Sequence, residues 1–295
     1  MKQSCLPLIT KSFAKLNLYL KILNKRKDKF HNLNTLFCRI DLADTIILKN
    51  RKDNLIKIKC NNRYVPTGAT NLCWRAAKLL KQKFNLNSGL DIEIKKRIPV
   101  GAGLGGGSSN AASVLLGLNK YWSLNLSQKK LASLGVKIGS DVAFFIHNTR
   151  FALAGGRGDK IKPVTALKEL KLWFILVCTD VNVSTPLIYR KFDHFSGLTM
   201  PKGNVKILTS ELLRKDKGFD TACLFNDLEG VTIRLYPVVN QVKKALSSIG
   251  LEKIMMSGSG PAVFAVCNSY RQAKDLSIKV AKEHKSWRVF VSSTV

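Results

Sequence analysis

Residues 99–113 read PVGAGLGGGSSNAAS and decide the fold prediction, because they join a predicted strand to a predicted helix. Five of the seven residues from 101 to 107 are glycines, which let backbone amides approach a ligand and can adopt a positive φ. Ser108, Ser109 and Asn110 follow at once, and helix N-caps prefer these residue types. A helix N-terminus offers unpaired amides and a partial positive charge, so the stretch indicates a phosphate-binding loop.

Two other glycine-rich patterns and a plain turn fit this stretch less well. Gly101, Gly103 and Gly106 match the dinucleotide pattern G-x-G-x-x-G, but residues 121–127 contain no acid for the ribose. A P-loop requires Lys followed by Ser or Thr, and no lysine follows Gly107. A turn with only a structural role rarely needs so many glycines before capping residues. Phosphate binding is the interpretation that explains the whole stretch.

The composition predicts a cytoplasmic globular protein. The 295 residues, 45% of them hydrophobic, are enough for one large core or two domains. No apolar run approaches the roughly 20 residues of a membrane helix, and the first residues lack the pattern of a signal peptide. The seven cysteines are scattered and form no C-x-x-C pair. This pattern predicts reduced thiols and argues against a zinc site.

The net charge of +30 has two interpretations. One is nucleic-acid binding, and a basic RNA-binding module is the rival from a different functional class. The other is a lysine-rich surface, which the even spread of lysines favours, since the densest patches at 24–31 and 49–59 also contain acids. Such a surface steers anionic ligands such as nucleoside di- and triphosphates. An RNA module also needs exposed aromatic and base-reading side chains, so nucleic acid is not the partner that we predict.

Hydrophobic periodicity predicts mixed strands and helices. The predicted strands are 12–23, 35–49, 55–60, 91–96, 170–178 and 288–293, with a strand–turn–strand unit over 253–267 and turns at Asp44 and Asn54. The predicted helices are 71–85 with Asn71 as cap, a helix from the glycine-rich loop to about Trp122, 126–140, most of 203–250, and 275–285. The sequence pattern changes to a glycine-containing loop near 150–160, so we expect domains over 1–155 and 156–295. The fold class that these elements predict is α+β.

Three separated motifs together resemble the GHMP family of small-molecule kinases. They are SFAKLNLYL (12–20), the stretch 99–113, and MMSGSGPAVFA (255–265). The resemblance covers nearly the whole chain and is least specific over 190–220. It implies an N-terminal domain like the second domain of ribosomal protein S5 and a ferredoxin-like C-terminal domain. Further stretches, KFHNLNTLFCRIDLADTI (29–46), IGSDVAFFIHN (138–148) and STPLIYR (184–190), narrow it to members that phosphorylate a small cytidine diphosphate-linked alcohol for non-mevalonate isoprenoid synthesis.

The same resemblance implies ATP as the phosphate donor, with Mg²⁺ balancing its charge. Phosphoryl transfer depends mainly on positioning and charge neutralisation. Ser108 or Ser109 would contact a phosphate or the metal, or would only cap the helix. No protein ligand set for the metal is predicted. The implied nucleotide-binding residues are Pro99, Val100, Gly101, Ala102, Gly103, Leu104, Gly105, Gly106, Gly107, Ser108 and Ser109, with Asn71 and Lys96 nearby.

Lys15 and Asp141 are the predicted catalytic pair. Asp141 follows a Gly-Ser turn, where its carboxylate can accept a proton from a hydroxyl or simply serve as a turn or cap residue. Lys15 lies within an apolar strand, where it is costly unless paired, or points to water from an edge strand. The family's Lys–Asp pair matches these two residues, which implies that Asp141 is the base and Lys15 its electrostatic partner.

The resemblance also implies how the cytidine is recognised. Phe30 and His31 match an aromatic–His pair, with Phe30 where many members have tyrosine, and Tyr189 matches the aromatic residue on the other side of the base. An aromatic face stacks on a base, and an imidazole can bond its edge. Asn17 shares the strand face of Lys15, and Thr185 completes the predicted substrate set. Taken alone, His31 is as easily a surface histidine and Tyr189 a core residue.

Two further expectations concern the second glycine-rich turn and the rival substrates. SGSGP at 257–261 either closes over the substrate's phosphates or supports the first loop, and Pro261 stands where the family has a small residue. Family members that act on mevalonate-type or homoserine-type alcohols share the first loop. They have no reason for an aromatic–His base clamp.

Overall fold

The computed structural model describes residues 6–194, 204–214 and 223–295. The strands are β1 (Leu8–Lys25), β2 (His31–Arg51), β3 (Ile56–Cys60), β4 (Gly89–Lys95), β5 (Phe151–Gly155), β6 (Lys160–Pro163), β7 (Trp173–Cys178), β8 (Phe225–Asn226), β9 (Ile254–Met256), β10 (Val263–Cys267) and β11 (Arg288–Ser293). The helices are α1 (Leu72–Lys83), α2 (Gly106–Tyr121), α3 (Gln128–Val136), α4 (Val142–His147), α5 (Thr185–Phe192), α6 (Val205–Leu213), α7 (Glu229–Leu235), α8 (Val238–Ser248) and α9 (Tyr270–Glu283).

A long β1–β2 hairpin organises the first sheet. Its strand order is β3-β4-β2-β1-β8, and β5 pairs with β2 and with β6. The antiparallel register of β1 and β2 shifts between Phe13 and Ala14, just before Lys15. Helices α1 to α4 bury their apolar residues against this sheet, with Ile46, Leu80 and Leu115 fully buried in the shared core. Burial of such side chains is the main stabilising term in folding.

The second sheet is antiparallel, with the order β11-β7-β10-β9. One core packs this sheet against α8 and α9, and another joins it to the first sheet. In the joining core, Phe174 and Phe264 meet edge to face with ring centroids 5.7 Å apart. Leu16 of β1 and Leu104 of the glycine-rich loop belong to the same core. The loop is therefore held between the two sheets.

The structure confirms much of the predicted secondary structure and corrects some of it. Helix α1 begins after Asn71, whose side-chain oxygen accepts a hydrogen bond from the Cys73 amide, as expected for the cap. The predicted turn at Asp44 is wrong, because Asp44 lies within β2 and is completely buried. The predicted helix 126–140 is also too long, since α3 ends at Val136. Part of the helical prediction over 203–250 lies outside the described residues.

The domain boundary expected at 155/156 falls in the β5–β6 hairpin. Strand β6 pairs with β5 and so continues the first sheet as far as Pro163, and the second sheet begins at Trp173. The division into 1–155 and 156–295 stays a prediction. None of the helices that the structure describes combines the length and the apolarity that a bilayer crossing requires.

Candidate active site

A cavity of about 1090 Å³ opens between the glycine-rich loop, the β1–β2 hairpin and α5. Most of the predicted site residues line this one cavity. They are Lys15, Asn17, Phe30, His31, Asn71, Lys96, residues 99–108, Asp141, Thr185 and Tyr189. Residues that are far apart in the sequence therefore share a single site.

The glycine-rich loop ends at Gly105, which is the N-cap of α2 with φ +67°. This left-handed conformation suits glycine, and a Cβ here would lie 3.0 Å from the Phe145 ring. Ser108 and Ser109 lie inside the first turn, and α2 has no side-chain cap, so the predicted capping by this cluster is wrong. The first intrahelical bond runs from the Ser109 amide to the Gly105 carbonyl. The amides before it belong to the unpaired first turn of a helix, which favours a bound anion.

The second glycine-rich turn supports the first loop. The Ala262 amide donates to the Ala102 carbonyl at 3.3 Å, and the Ser257 hydroxyl donates to the Gly103 carbonyl at 3.2 Å. A Cβ at Gly103 would lie 2.2 Å from the Ser257 carbonyl oxygen, so the close approach requires glycine. Gly258 and Ser259 also line the cavity. Both roles expected for this turn are therefore compatible with its position.

Asp44 is a buried carboxylate beneath the loop that the sequence analysis missed. Its Oδ1 accepts hydrogen bonds from the amides of Arg97 at 2.7 Å and Ile98 at 2.9 Å, directly before the loop. Its Oδ2 pairs with the ammonium of Lys96, whose side chain is 5% exposed. Lys96, predicted to bind nucleotide, is thus already engaged by a carboxylate. The signal in the sequence is a single charged residue, Asp44, inside the mainly apolar run LADTII (42–47).

Ser109 belongs to the same buried network and does not line the cavity. The Asn110 amide group donates to Asp44 Oδ2 and to the Ser12 hydroxyl, each at 2.8 Å. The Ser12 hydroxyl in turn donates to the Ser109 hydroxyl at 2.7 Å. Ser109 is 2% exposed and points into the protein. The Ser109 hydroxyl therefore links α2 to β1, and the contact of Ser109 with nucleotide stays a prediction.

Lys15 and Asp141 are neighbours on the cavity wall, with Nζ and Oδ2 3.8 Å apart. Lys15 is buried, so the alternative of an edge lysine in water is wrong, and its ammonium also bonds the side-chain oxygen of Asn17. Burial lowers the pKa of Lys15, and the negative charge of Asp141 opposes that shift. The Asp141 side chain is 28% exposed and makes no capping bond at the start of α4. Its carboxylate is available to a substrate.

The aromatic residues lie toward the other end of the site. His31 and Tyr189 stack with ring centroids 5.5 Å apart, and burial raises the pKa of the Tyr189 hydroxyl. Phe30 is 53% exposed, with the Arg157 guanidinium 4.8 Å from its ring centroid. The clamp between Phe30 and Tyr189 stays a prediction. Arg157 is a cavity-lining residue that the sequence analysis did not select.

The predicted Asn17 and Thr185 are both held by neighbours. The Asn17 amide group donates to the Thr35 hydroxyl at 2.9 Å, and the Thr185 and Ser259 hydroxyls are 2.7 Å apart. Asn71 lines the cavity, but its polar atoms cap α1 and donate to the Pro66 carbonyl. These bonds fix the three side chains whether or not a ligand is present.

Comparison with known proteins first defines the class. Residues 71–149 match the model of the GHMP kinases N terminal domain, and residues 211–285 match GHMP kinases C terminal. The two-sheet fold and the glycine-rich loop are thus those of a GHMP kinase, and the predicted fold is confirmed. A mevalonate kinase structure from Methanococcus jannaschii has a TM-score of 0.71 at 16% identity, with 98% of each chain covered, and shows the fold alone.

More similar proteins define the family within this class. The 4-diphosphocytidyl-2-C-methyl-D-erythritol kinase of Geobacillus sp. (strain WCH70) is 42% identical over 261 residues, which cover 88% of each chain. A crystal structure of 4-(cytidine 5'-diphospho)-2C-methyl-D-erythritol kinase has a TM-score of 0.78 at 30% identity, covering 97% of this chain and 98% of that one. The chain belongs to the family of 4-diphosphocytidyl-2-C-methyl-D-erythritol kinases.

Proposed function

We propose that this protein transfers the γ-phosphate of ATP to the 2-hydroxyl of 4-diphosphocytidyl-2-C-methyl-D-erythritol. The products are the 2-phosphate and ADP, and the reaction belongs to non-mevalonate isoprenoid precursor synthesis. The family membership supports this activity. The observation that carries the proposal is the Lys15–Asp141 pair, which lies in the same cavity as the glycine-rich loop and the aromatic residues.

The roles of the two catalytic residues follow from their charges. Asp141 accepts the proton of the attacking hydroxyl and orients its oxygen toward the phosphate. Lys15 is the cation beside it, held by Asn17 and by burial. A preorganised charge in a partly dry site stabilises the charge that develops on the transferred group.

The nucleotide binds along the loop from Pro99 to Ser108. The free amides at the start of α2 hold the phosphates, and the second glycine-rich turn keeps the loop in place. Asn71 and Lys96 shape the floor of this half of the cavity, since their polar groups are bonded to the protein.

Mg²⁺ supplies charge neutralisation when it is bound, and the residues present fit such an ion. Mg²⁺ usually takes one or two carboxylates together with substrate phosphates and water. Asp141 provides one partly exposed carboxylate beside the loop, and Ser108 lines the same cavity. Within the described residues there is no cluster of three or more acidic, histidine or cysteine ligands.

The aromatic residues at one end of the cavity favour this cytidine-linked substrate over mevalonate-type and homoserine-type alcohols. His31 and Tyr189 form a stacked pair in the cavity, and Phe30 adds an exposed ring. Asn17 is bonded to Lys15 and Thr185 to Ser259 of the second glycine-rich turn, so we expect both to contact the substrate near the reacting hydroxyl. An alcohol without a base has no use for three aromatic rings.

We also infer a cytoplasmic location with no nucleic-acid partner. Cys38, Cys60, Cys73, Cys178 and Cys267 form no disulfide among the described residues, as in reducing compartments. The proposed chemistry takes place in the cavity beside the glycine-rich loop, and the basic surface guides anionic ligands toward it.

The test is substrate-dependent ADP release by the wild type, Asp141→Asn and Asp275→Asn. Asp275 lies on the exposed face of α9, with a side chain that is 66% exposed, and serves as the matched control. We expect the Asp141 variant to lose at least about 10²-fold in kcat, the lower range for removing a proton-transfer group, and the control to match the wild type. A wild type that releases no ADP with the cytidyl alcohol would refute the activity. An Asp141 variant with full kcat would refute only the assignment of the base.

A further inference from the structure

A chain of three charged or polar side chains links α5 to the β1–β2 hairpin at the aromatic end of the cavity. Asp193, just after α5, has Oδ1 2.6 Å from His31 Nε2 and Oδ2 2.5 Å from Lys25 Nζ. Lys25 and His31 are paired at the turn end of the hairpin, where β1 ends and β2 begins. All three residues line the cavity. Asp193 therefore touches both strands of the hairpin through side chains that the ligand can reach.

The Asp193 carboxylate decides which nitrogen of His31 carries hydrogen. Although burial alone raises the pKa of Asp193, the bonds from Lys25 and His31 outweigh it and lower that pKa below the usual range. An ionised carboxylate only accepts hydrogen bonds, so Nε2 of His31 must be the donor. The hydrogen bond at one ring nitrogen determines the state of the other. In a neutral imidazole, Nδ1 is then an acceptor.

The orientation of the His31 ring is fixed as well as its tautomer. The ring stacks on Tyr189 and meets Phe192 edge-on at 6.5 Å between centroids, and the residue is 7% exposed. Within the described part of the chain, Nδ1 has no protein hydrogen-bond partner. A rigid ring with an acceptor and no internal partner is suited to a donor on the ligand.

We propose that Asp193 is a positioning residue that makes His31 Nδ1 an acceptor for the 4-amino group of cytosine and so excludes uracil. This inference rests on the proposed function, since it concerns the base of that substrate. Cytosine presents an amino donor at position 4, whereas uracil presents an oxygen acceptor there. With uracil, the acceptor Nδ1 of His31 would face the acceptor oxygen at position 4, and neither atom would receive a hydrogen bond. Leaving a buried polar group without a hydrogen bond is costly.

The test compares the dissociation constants of CDP and UDP by calorimetry for the wild type, Asp193→Asn and Lys25→Met. We expect the wild type to bind CDP at least about 10-fold tighter, which is the range for one buried hydrogen bond. Asparagine has the shape of aspartate but can accept from or donate to Nε2, so either tautomer becomes possible. The CDP preference should then fall about 10-fold in Asp193→Asn, while the KM for ATP stays within about twofold.

Lys25→Met is the matched control, because it removes the charge beside Asp193 and keeps the carboxylate on His31. It should weaken CDP and UDP equally and leave their ratio unchanged. An unchanged ratio in Asp193→Asn, or an equal loss of the ratio in both variants, would overturn the inference. A wild type that turns over the cytidyl alcohol but binds CDP and UDP equally would overturn it too and leave the kinase activity standing. Absence of that turnover would instead overturn the proposed function, and the nucleotide comparison would still decide the role of Asp193.

Discussion

Replacing Asp44 with asparagine should destabilise the protein and weaken ATP binding selectively. The Asp44 carboxylate is completely buried and accepts from two backbone amides, the Lys96 ammonium and the Asn110 amide group. Asparagine has nearly the same shape but carries no charge and has one acceptor oxygen in place of two. The NH2 group of the asparagine would point at hydrogen-bond donors that the carboxylate oxygen had accepted from. Lys96 would also lose its ionic partner.

The magnitude follows from the burial of the ion pair. Removing one partner of a buried pair costs about 3–5 kcal/mol, because a charge is left uncompensated inside the protein. Lys96 is 5% exposed on its side chain and Asp44 is 0% exposed, so water screens neither charge. We therefore expect Asp44→Asn to lower the free energy of unfolding by about 3–5 kcal/mol. Asp44→Asn/Lys96→Met should recover part of that loss, since both charges are then gone.

The assay is urea unfolding monitored by tryptophan fluorescence, together with the separate KM values for ATP and for the alcohol. Asp91→Asn is the control, because Asp91 is 44% exposed on its side chain and should cost about 0.5 kcal/mol or less. The amides of Arg97 and Ile98 lead into the glycine-rich loop, so the KM for ATP should rise about 10-fold, as expected when about 1.4 kcal/mol of binding is lost. A loss below about 1 kcal/mol, or equal changes in both KM values, would refute the anchoring role of Asp44.

Two further predictions concern Lys15 and the serines of α2. Because burial lowers the pKa of Lys15, kcat should fall with rising pH below the ordinary lysine value of 10.5, and a kcat that is flat up to pH 10.5 would contradict this. The free energy of unfolding should rise over the same pH range, because the unfolded chain still holds the proton that the folded protein has lost. Ser108 lines the cavity, whereas Ser109 does not. In the same ADP-release assay, Ser108→Ala should therefore raise the KM for ATP several-fold, and Ser109→Ala should leave it unchanged. A larger effect of Ser109→Ala than of Ser108→Ala would contradict this placement.

Local pattern was enough to predict most elements of the fold, because periodicity and capping are local properties. The helix after Asn71 and the strand that leads into the glycine-rich loop are where the pattern predicts them. The sequence predicts a turn at Asp44, since aspartate is common in turns. Its true position depends on Lys96 and the two amides before the loop, and these lie 52 to 54 residues away. A network of that span leaves no periodic signal.

The site is predicted from motifs, and a motif does not distinguish the surroundings of two neighbouring residues of the same type. Ser108 and Ser109 are adjacent and chemically identical, yet the helix turns one toward the cavity and the other toward Ser12. Asp193 had no motif to mark it, and its importance depends on α5 ending beside the hairpin that carries His31. Contacts of this kind arise only when the two halves of the chain pack together.

The way that the cavity's cations are paired explains why a charge of +30 is a poor guide to the function. Lys15, Lys25, Lys96 and Arg157 all line the cavity, and each contacts a carboxylate: Asp141, Asp193, Asp44 and Asp159, respectively. These cations therefore orient acids as much as they attract phosphates. The positive potential offered to a polyphosphate comes instead from the start of α2, from Lys29 and Arg190, which also line the cavity, and from the excess of lysine over the whole surface. The contribution of the surface lysines acts at long range and weakens with salt. Raising the ionic strength should thus slow ligand association more than it changes the chemical step.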